Sequence, residues 1–380
     1  MQDKFGPEYV VKIYDPELGM KGYLVIDNTV LGPGKGGIRM TPDITEEEVR
    51  RLARAMTFKN ALAGIRFGGA KSGIRWQGGN DLLIKKKFIQ SFAKRIKFFT
   101  PKKYIAGPDV NTSEKEMQWF VEATEDWRSA TGKPANLCMQ LFGKPGQKCG
   151  IPHEFGSTGF GVAQATAVAS KISGYDLKNL TVAIHGFGNV GTFTYRILDN
   201  LGAKVIALAD KSGAVFSEKG FDRKELEEII KNKKNLTEYK KGQIIKSEDF
   251  WKTSADILIP ASVTDVINQT NKDKIKSKII IEAANIPMSE EVENELFEKG
   301  ILIVPDIIAN SGGVISSYAE YKGYNPKQMF EDIARKIKKI VSLVMEESIK
   351  NNKNPRKVAL DIAVKIIEEK QKIKGRSSIK

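Results

Sequence analysis

A stretch of about thirty residues, Thr181 to Asp210, constrains this chain more than any other. It opens with the apolar run Thr181-Val182-Ala183-Ile184, which leads into Gly186-Phe187-Gly188-Asn189-Val190-Gly191. An apparent helix follows, ending near Leu201-Gly202. A second apolar run, Lys204 to Ala209, then closes on Asp210. G-x-G-x-x-G alone is weak evidence, but here strand, glycine turn, helix, strand and acidic residue stand in the order a nucleotide-binding βαβ unit requires. Gly186 permits a tight turn, Gly188 lets the backbone approach a pyrophosphate at the positive end of a helix, and Gly191 allows close helix–strand packing. Asp210 can accept a hydrogen bond from a ribose hydroxyl, which favours NAD. Lys211 and Ser212 behind it can hold a 2′-phosphate, so NADP or use of both stays open. The plainer reading is a glycine-rich turn in an α/β sheet that binds nothing.

Such a unit needs a parallel sheet covered on both faces, and the chain is long enough to build one. Its 380 residues allow about two domains, and 41% hydrophobic with 28% charged residues is an ordinary globular composition. From about residue 156, strands alternate with helices. The further strands are Asp256 to Ile259, Lys278 to Glu282 and Ile301 to Val304. Several are continuously apolar rather than alternating, as strands buried on both faces are. The first segment, about 1–150, mixes short strands with helices. Thr45 with Glu48, and Ser113 with Glu116, each read as a capping box. Val49, Leu52, Ala53 and Met56 give the first of these helices an apolar face, and Gly64 stops it. Phe330 to Lys374 reads as two helices broken near Asn354-Pro355. The expected fold class is α/β with two domains.

The formal charge is +15, from 61 Lys+Arg against 46 Asp+Glu. A polyanion partner would account for it, but no aromatic-interleaved basic block and no RNA- or DNA-binding motif accompanies the charge. No nucleic-acid partner is therefore expected. No run approaches the ~18 apolar residues of a membrane helix, so no membrane partner is expected either. Met1 to Val10 lacks the apolar core of a secretory signal. Cys138 and Cys149 cannot make a disulfide framework or a four-thiolate site. With His153 and His185 as the only histidines a His-rich zinc site is excluded, and no metal is expected. A reducing, cytoplasmic setting is the default expectation.

Three lysines sit in or near glycine-rich segments. Lys35 lies in Gly34-Lys35-Gly36-Gly37-Ile38-Arg39, Lys59 at the end of the first capped helix, and Lys71 in Gly68-Gly69-Ala70-Lys71-Ser72-Gly73. Glycines remove bulk and let a ligand approach the backbone. If the lysines converge they make a site for a small di-acid, and burial with mutual repulsion would lower their pKa values. Taken singly, each is equally a solvated turn lysine. Asp109, in Ala106-Gly107-Pro108-Asp109-Val110-Asn111-Thr112, is either a turn residue ahead of a helix or a proton carrier.

These segments together resemble the glutamate/leucine/phenylalanine/valine dehydrogenase family over roughly residues 20–325. The matching motifs also include Met56-Thr57-Phe58-Lys59-Asn60, Thr158-Gly159-Phe160-Gly161, Ile259-Pro260-Ala261, Glu282 to Asn285, and Pro305 to Gly313. The resemblance implies a fold of two domains with a cleft between them. Residues 1–150, completed by C-terminal helices in 326–380, would form an α/β substrate-binding and oligomerisation domain, and 151–325 a Rossmann-like dinucleotide-binding domain. It implies a homo-hexamer and NAD- or NADP-dependent, reversible oxidative deamination of L-glutamate to 2-oxoglutarate and ammonium.

Roles follow position by position from the same resemblance. Lys71 matches the catalytic lysine and Asp109 the carboxylate that shuttles protons to and from the substrate nitrogen. Lys59 matches the lysine on the α-carboxylate; Lys35 and Ser317 match the pair on the distal carboxylate. Thr158, Asn285 and Asn310 match positions on the nicotinamide side, and Gly186 to Gly191 with Asp210 and Lys211 form the rest of the dinucleotide site. A buried γ-carboxylate needs a cation and donors. Lys35 and Ser317 supply both, which favours glutamate over leucine, valine or phenylalanine. Gly107, Ser72, Ser311, Ala283 and Met288 depart from the family's usual residues. The alternatives are an amino acid dehydrogenase of leucine, valine or phenylalanine type, and a ligand-sensing paralogue without activity.

Overall fold

The computed structural model describes residues 3–79, 81–136, 149–152 and 155–377. Cys138 and His153, weighed above, lie outside them. Cys149 is disulfide-bonded, so the cysteines do not argue for reducing surroundings. The chain divides into two compact units. One comprises Met1–Phe155, Val314–Asp332 and Leu360–Lys380, the other Gly156–Gly313 and Ile333–Ala359.

The N-terminal part of the first unit holds β1 (Tyr9–Asp15), β2 (Met20–Asn28), β3 (Gly34–Lys35), β4 (Ile38–Thr41), α1 (Glu46–Leu62), β5 (Gly68–Arg75), α2 (Leu82–Arg95), β6 (Tyr104–Ile105) and α3 (Glu114–Thr124). The strands form one mixed sheet in the order β1-β2-β5-β3-β6, with β4 also paired to β5. Leu24, Ile26, Ile74, Phe92, Met117 and Phe120 fill its core. Glycine lets α1 ride directly on β5. A Cβ on Gly69 would stand 2.1 Å from Thr57 Oγ1, and Asn60 Nδ2 donates to Gly68 O at 2.6 Å. Thr45 caps α1 through Glu48 N at 3.2 Å. The expected reciprocal bond from Glu48 is not made, because that carboxylate is held by Arg39 at 2.8 Å. At α3 the box is complete, with Ser113 N donating to Glu116 Oε2 at 2.7 Å.

The second unit begins with α4 (Ser157–Ile172), β7 (Thr181–His185), α5 (Asn189–Asn200), β8 (Lys204–Asp210), β9 (Gly213–Phe216) and α6 (Arg223–Lys231). It continues with β10 (Gln243–Ile245), β11 (Ile257–Pro260), β12 (Ile279–Ile281), α7 (Glu290–Glu298), β13 (Leu302–Val304) and α8 (Asp306–Ala309). The sheet order is β10-β9-β8-β7-β11-β12-β13. Strands β8 to β13 in that order are parallel; β9 and β10 add an antiparallel edge. The five apolar runs are the parallel strands. The antiparallel pair escaped notice because its strands are short and partly exposed. The helices α9 (Gly312–Lys322), α10 (Pro326–Asn351) and α11 (Pro355–Ser377) complete the chain, with the break before Pro355. No helix among the described residues is long and apolar enough to cross a membrane.

Candidate functional site

In the first unit the glycine-flanked residues meet. Lys71 lies on β5, opposite Val25 of β2, and its ammonium is ion-paired with Asp109 Oδ2. The other oxygen of Asp109 accepts from Arg39 Nε at 2.8 Å, and Arg39 in turn holds Glu48. Close backbone approach makes this possible. A Cβ on Gly36 would lie 1.7 Å from Ala70 O, and one on Gly37 would lie 2.4 Å from Pro108 O and 2.8 Å from Asp109 Cβ. The Asp109 loop is fixed to β4: Thr112 Oγ1 donates to Ile38 O at 2.7 Å and Asn111 Nδ2 to Met40 O at 2.9 Å. Ser72, a departure from the family pattern, donates to Tyr104 Oη at 2.8 Å, and Tyr104 Oη donates in turn to Gly36 O at 3.0 Å.

Lys35, on β3 between β5 and β6, is 4% exposed and donates to Ala106 O at 2.9 Å. Gly107 makes room for it, since a Cβ there would stand 2.2 Å from Lys35 Nζ. Burial lowers the Lys35 pKa to about 7; Glu320 opposes the shift and Lys71 and Lys133 add to it. Burial also lowers Lys71, against the pull of Asp109. For Asp109 burial raises the pKa, but Lys71 and Arg39 outweigh it and hold the carboxyl at about 2. The unit thus contains a preformed ion pair beside a buried lysine that titrates near neutrality.

Lys59 is half-buried in the last turn of α1 and Ser317 is half-buried on α9. Three residues beyond Ser317, Glu320 is fully buried and paired with Lys133 at 2.6 Å. Its Oε2 accepts from Gly132 N at 2.8 Å and from Ile151 N at 2.9 Å. Sequence reasoning missed Arg39, Glu48, Lys133 and Glu320. Arg39 stood inside a motif already singled out; the Lys133–Glu320 pair spans the chain and leaves no local signal.

In the second unit the glycine turn has the expected form. Gly186 has φ +108°, and a Cβ there would meet Ala261 and Ser262 at 2.6 Å. A Cβ on Gly191 would lie 1.9 Å from Gly186 O, so helix and turn are in contact. A Cβ on Gly188 would meet no other segment within 4 Å, and no side chain at the N-cap bonds the start of α5. The positive start of that helix is therefore open to an anion. The turn leaves β7, with β8 on one side and β11 on the other. That is the strand-order reversal where α/β sheets take their ligands. This open cradle fits a dinucleotide pyrophosphate. Asp210 ends β8; its Oδ1 accepts from Ser212 N and Oγ at 2.7 and 2.5 Å. Lys211 is exposed. Asn310 Nδ2 donates to Ala283 O and Ala284 O at 3.2 Å and Asn285 Oδ1 at 3.1 Å, so these two asparagines meet. Thr158, at the start of α4, lies where that helix packs on Gly312. No cluster of His, Cys, Asp and Glu able to hold a metal ion occurs among the described residues.

These features define a class: a two-unit α/β protein with one Rossmann-like nucleotide unit. The chain belongs to the glutamate/leucine/phenylalanine/valine dehydrogenase family. Residues 149–375 match the model of the Glutamate/Leucine/Phenylalanine/Valine dehydrogenase, and residues 7–126 that of its dimerisation domain. The chain is 36% identical to an NADP-specific glutamate dehydrogenase of Saccharolobus shibatae, over 77% of this chain and 69% of that one. It is 34% identical to an NAD-specific glutamate dehydrogenase of Clostridioides difficile, over 79% and 72%. The crystal structure of glutamate dehydrogenase from Peptoniphilus asaccharolyticus superposes with a TM-score of 0.79 at 30% identity, covering 97% of this chain and 92% of the other.

Proposed function

We propose that this protein catalyses NAD- or NADP-dependent, reversible oxidative deamination of L-glutamate to 2-oxoglutarate and ammonium. The observation that carries the reading is the ion pair of buried Lys71 with half-buried Asp109, with Lys35 within electrostatic reach of both. Relatives named for glutamate and for either cofactor support it.

The first unit supplies the substrate residues. Lys35 and Ser317 hold the distal carboxylate and Lys59 the α-carboxylate. Asp109, kept ionised by Lys71 and Arg39, takes a proton from the substrate ammonium. When bound, NAD or NADP supplies the hydride acceptor for the substrate Cα–H. Water then adds to the iminium carbon and passes its proton to Lys71, which burial allows to enter this step as the neutral amine. Collapse of the carbinolamine releases ammonia on a proton returned by Asp109, while the hydroxyl proton leaves to solvent as the carbonyl forms. In the second unit, Gly186, Phe187, Gly188, Asn189, Val190 and Gly191 receive the pyrophosphate and Asp210 the adenosine ribose, with Lys211 beside it. Thr158, Asn285 and Asn310 face the nicotinamide.

The chain assembles as a homo-hexamer in the cytoplasm. The dimerisation-domain match over residues 7–126 supports self-association. So does the open outer edge of β1, where Tyr9 and Tyr14 are exposed. Light scattering at six times 42.2 kDa and recovery of the native protein in the cytosolic fraction test these two points. The function is tested by reductive amination, with ammonium, 2-oxoglutarate or branched 2-oxo acids, and NADH or NADPH in parallel. Oxidation of cofactor with 2-oxoglutarate alone is the expected result. Turnover confined to branched acids, or none from folded protein, would overturn the reading.

A further inference from the structure

The second unit contains a buried ionic cluster that the proposed chemistry leaves unused. Arg356, in the first turn of α11, faces three carboxylates. Its Nε meets Glu293 Oε2 at 2.6 Å, Nη1 meets Asp306 Oδ1 at 2.8 Å, and Nη2 meets Glu282 Oε2 at 2.5 Å. The four side chains are 18%, 1%, 7% and 0% exposed. Buried charge is unfavourable unless the geometry gives it a purpose or full compensation, and one guanidinium against three carboxylates is not full compensation. Burial raises the pKa of Glu282 and of Glu293, which reduces the excess negative charge. Glu282 Oε1 has no hydrogen-bond partner among the described residues.

Two of the three carboxylates reach the backbone of the loops that carry the asparagines. Asp306 Oδ2 accepts from Ile286 N at 2.9 Å, next to Asn285, at a residue held in the left-handed region with φ +49°. Glu282 Oε2 accepts from Asp306 N at 2.8 Å, at the start of the turn that ends in Asn310. Asn310 N closes that turn on Asp306 O at 3.3 Å. Arg356 is itself anchored, its N–H donating to Asn354 Oδ1 at 2.8 Å. A single side chain from the C-terminal helix therefore fixes both ends of the Asn285–Asn310 amide pair. The helix start at Gly188, assigned above to the pyrophosphate, lies on different elements.

We infer that Arg356 is a positioning residue for the nicotinamide half of the cofactor: with Glu282 and Asp306 it clamps the Asn285–Asn310 pair in the register that receives the carboxamide. The inference rests on the dinucleotide reading above and adds to it. The test is binding of NADH and of ADP-ribose, which lacks the nicotinamide, to the full-length protein, followed by Trp fluorescence or calorimetry. The variants are Arg356→Lys, which keeps the charge but not the fork, and Asp306→Asn, which keeps the volume and serves if the first fails to fold. Either folded variant should bind NADH about tenfold more weakly, the worth of one or two hydrogen bonds, while ADP-ribose affinity moves less than about twofold. Parallel weakening of both ligands, or no weakening of NADH, would show a purely structural cluster and overturn the clamp. Wild-type protein that binds neither these ligands nor their 2′-phosphorylated counterparts would instead overturn the dinucleotide reading itself.

Discussion

Burial brings the Lys35 pKa from 10.5 to about 7, and two opposite pH dependences follow. Because the folded value lies below the ordinary one, stability gains from this residue as pH rises from about 7 toward 10.5. Affinity for a second carboxylate runs the other way, since only the protonated lysine attracts it. We expect kcat/KM for 2-oxoglutarate to fall above about pH 7 in the wild type, because that ratio reports the free enzyme. In Lys35→Leu the limb should vanish and kcat/KM at low pH should drop about 10²–10³-fold. Steady-state kinetics across the pH range decides both. Lys71→Ala and Asp109→Asn should each lower kcat about 10²–10⁴-fold with little change in substrate affinity. A comparable rise in KM with kcat intact would move those residues from chemistry to binding.

At the scale of the element, the chain was most legible where spacing is local. Strands β7, β8, β11, β12 and β13 announce themselves as apolar runs, and the turn from Gly186 to Gly191 takes the predicted form. Legibility failed where tertiary contact redirects a side chain. Glu48 has the spacing of a capping box, yet its carboxylate lies on Arg39, which in turn steadies Asp109. The lysines show the same limit: each sits in a recognisable segment, but nothing in spacing reveals that Lys71 meets Asp109 or that Gly107 leaves room for Lys35 Nζ. The split at α1 can be measured. Thr45→Ala should lower stability by about 1 kcal/mol with activity intact, as loss of a helix cap does. Glu48→Ala should do the reverse, lowering kcat by freeing Arg39 while the melting curve moves little. Calorimetry and turnover on the same preparations test the pair.

For the whole molecule, the connection of distant segments matters more than any single element. Glu320 on α9 completes the N-terminal unit by neutralising Lys133, both essentially without solvent contact at 0% and 2% exposure. Lys133→Met should destabilise the protein by about 3–5 kcal/mol, because a buried carboxylate is left without its cation. Lys133→Met with Glu320→Leu should recover much of that loss; chemical denaturation of both variants checks it. The same contact bears on how the protein is made. Gly132 and its partner Glu320 are 188 residues apart, so at ribosomal speeds roughly 10–40 s separate their synthesis. Until α9 emerges, the nascent N-terminal unit must shelter a lysine whose counter-charge does not yet exist. The second unit waits in the same way, because its buried Glu282, Glu293 and Asp306 face their cation only once Arg356 is made, so neither unit can mature before the C-terminal helices are synthesised.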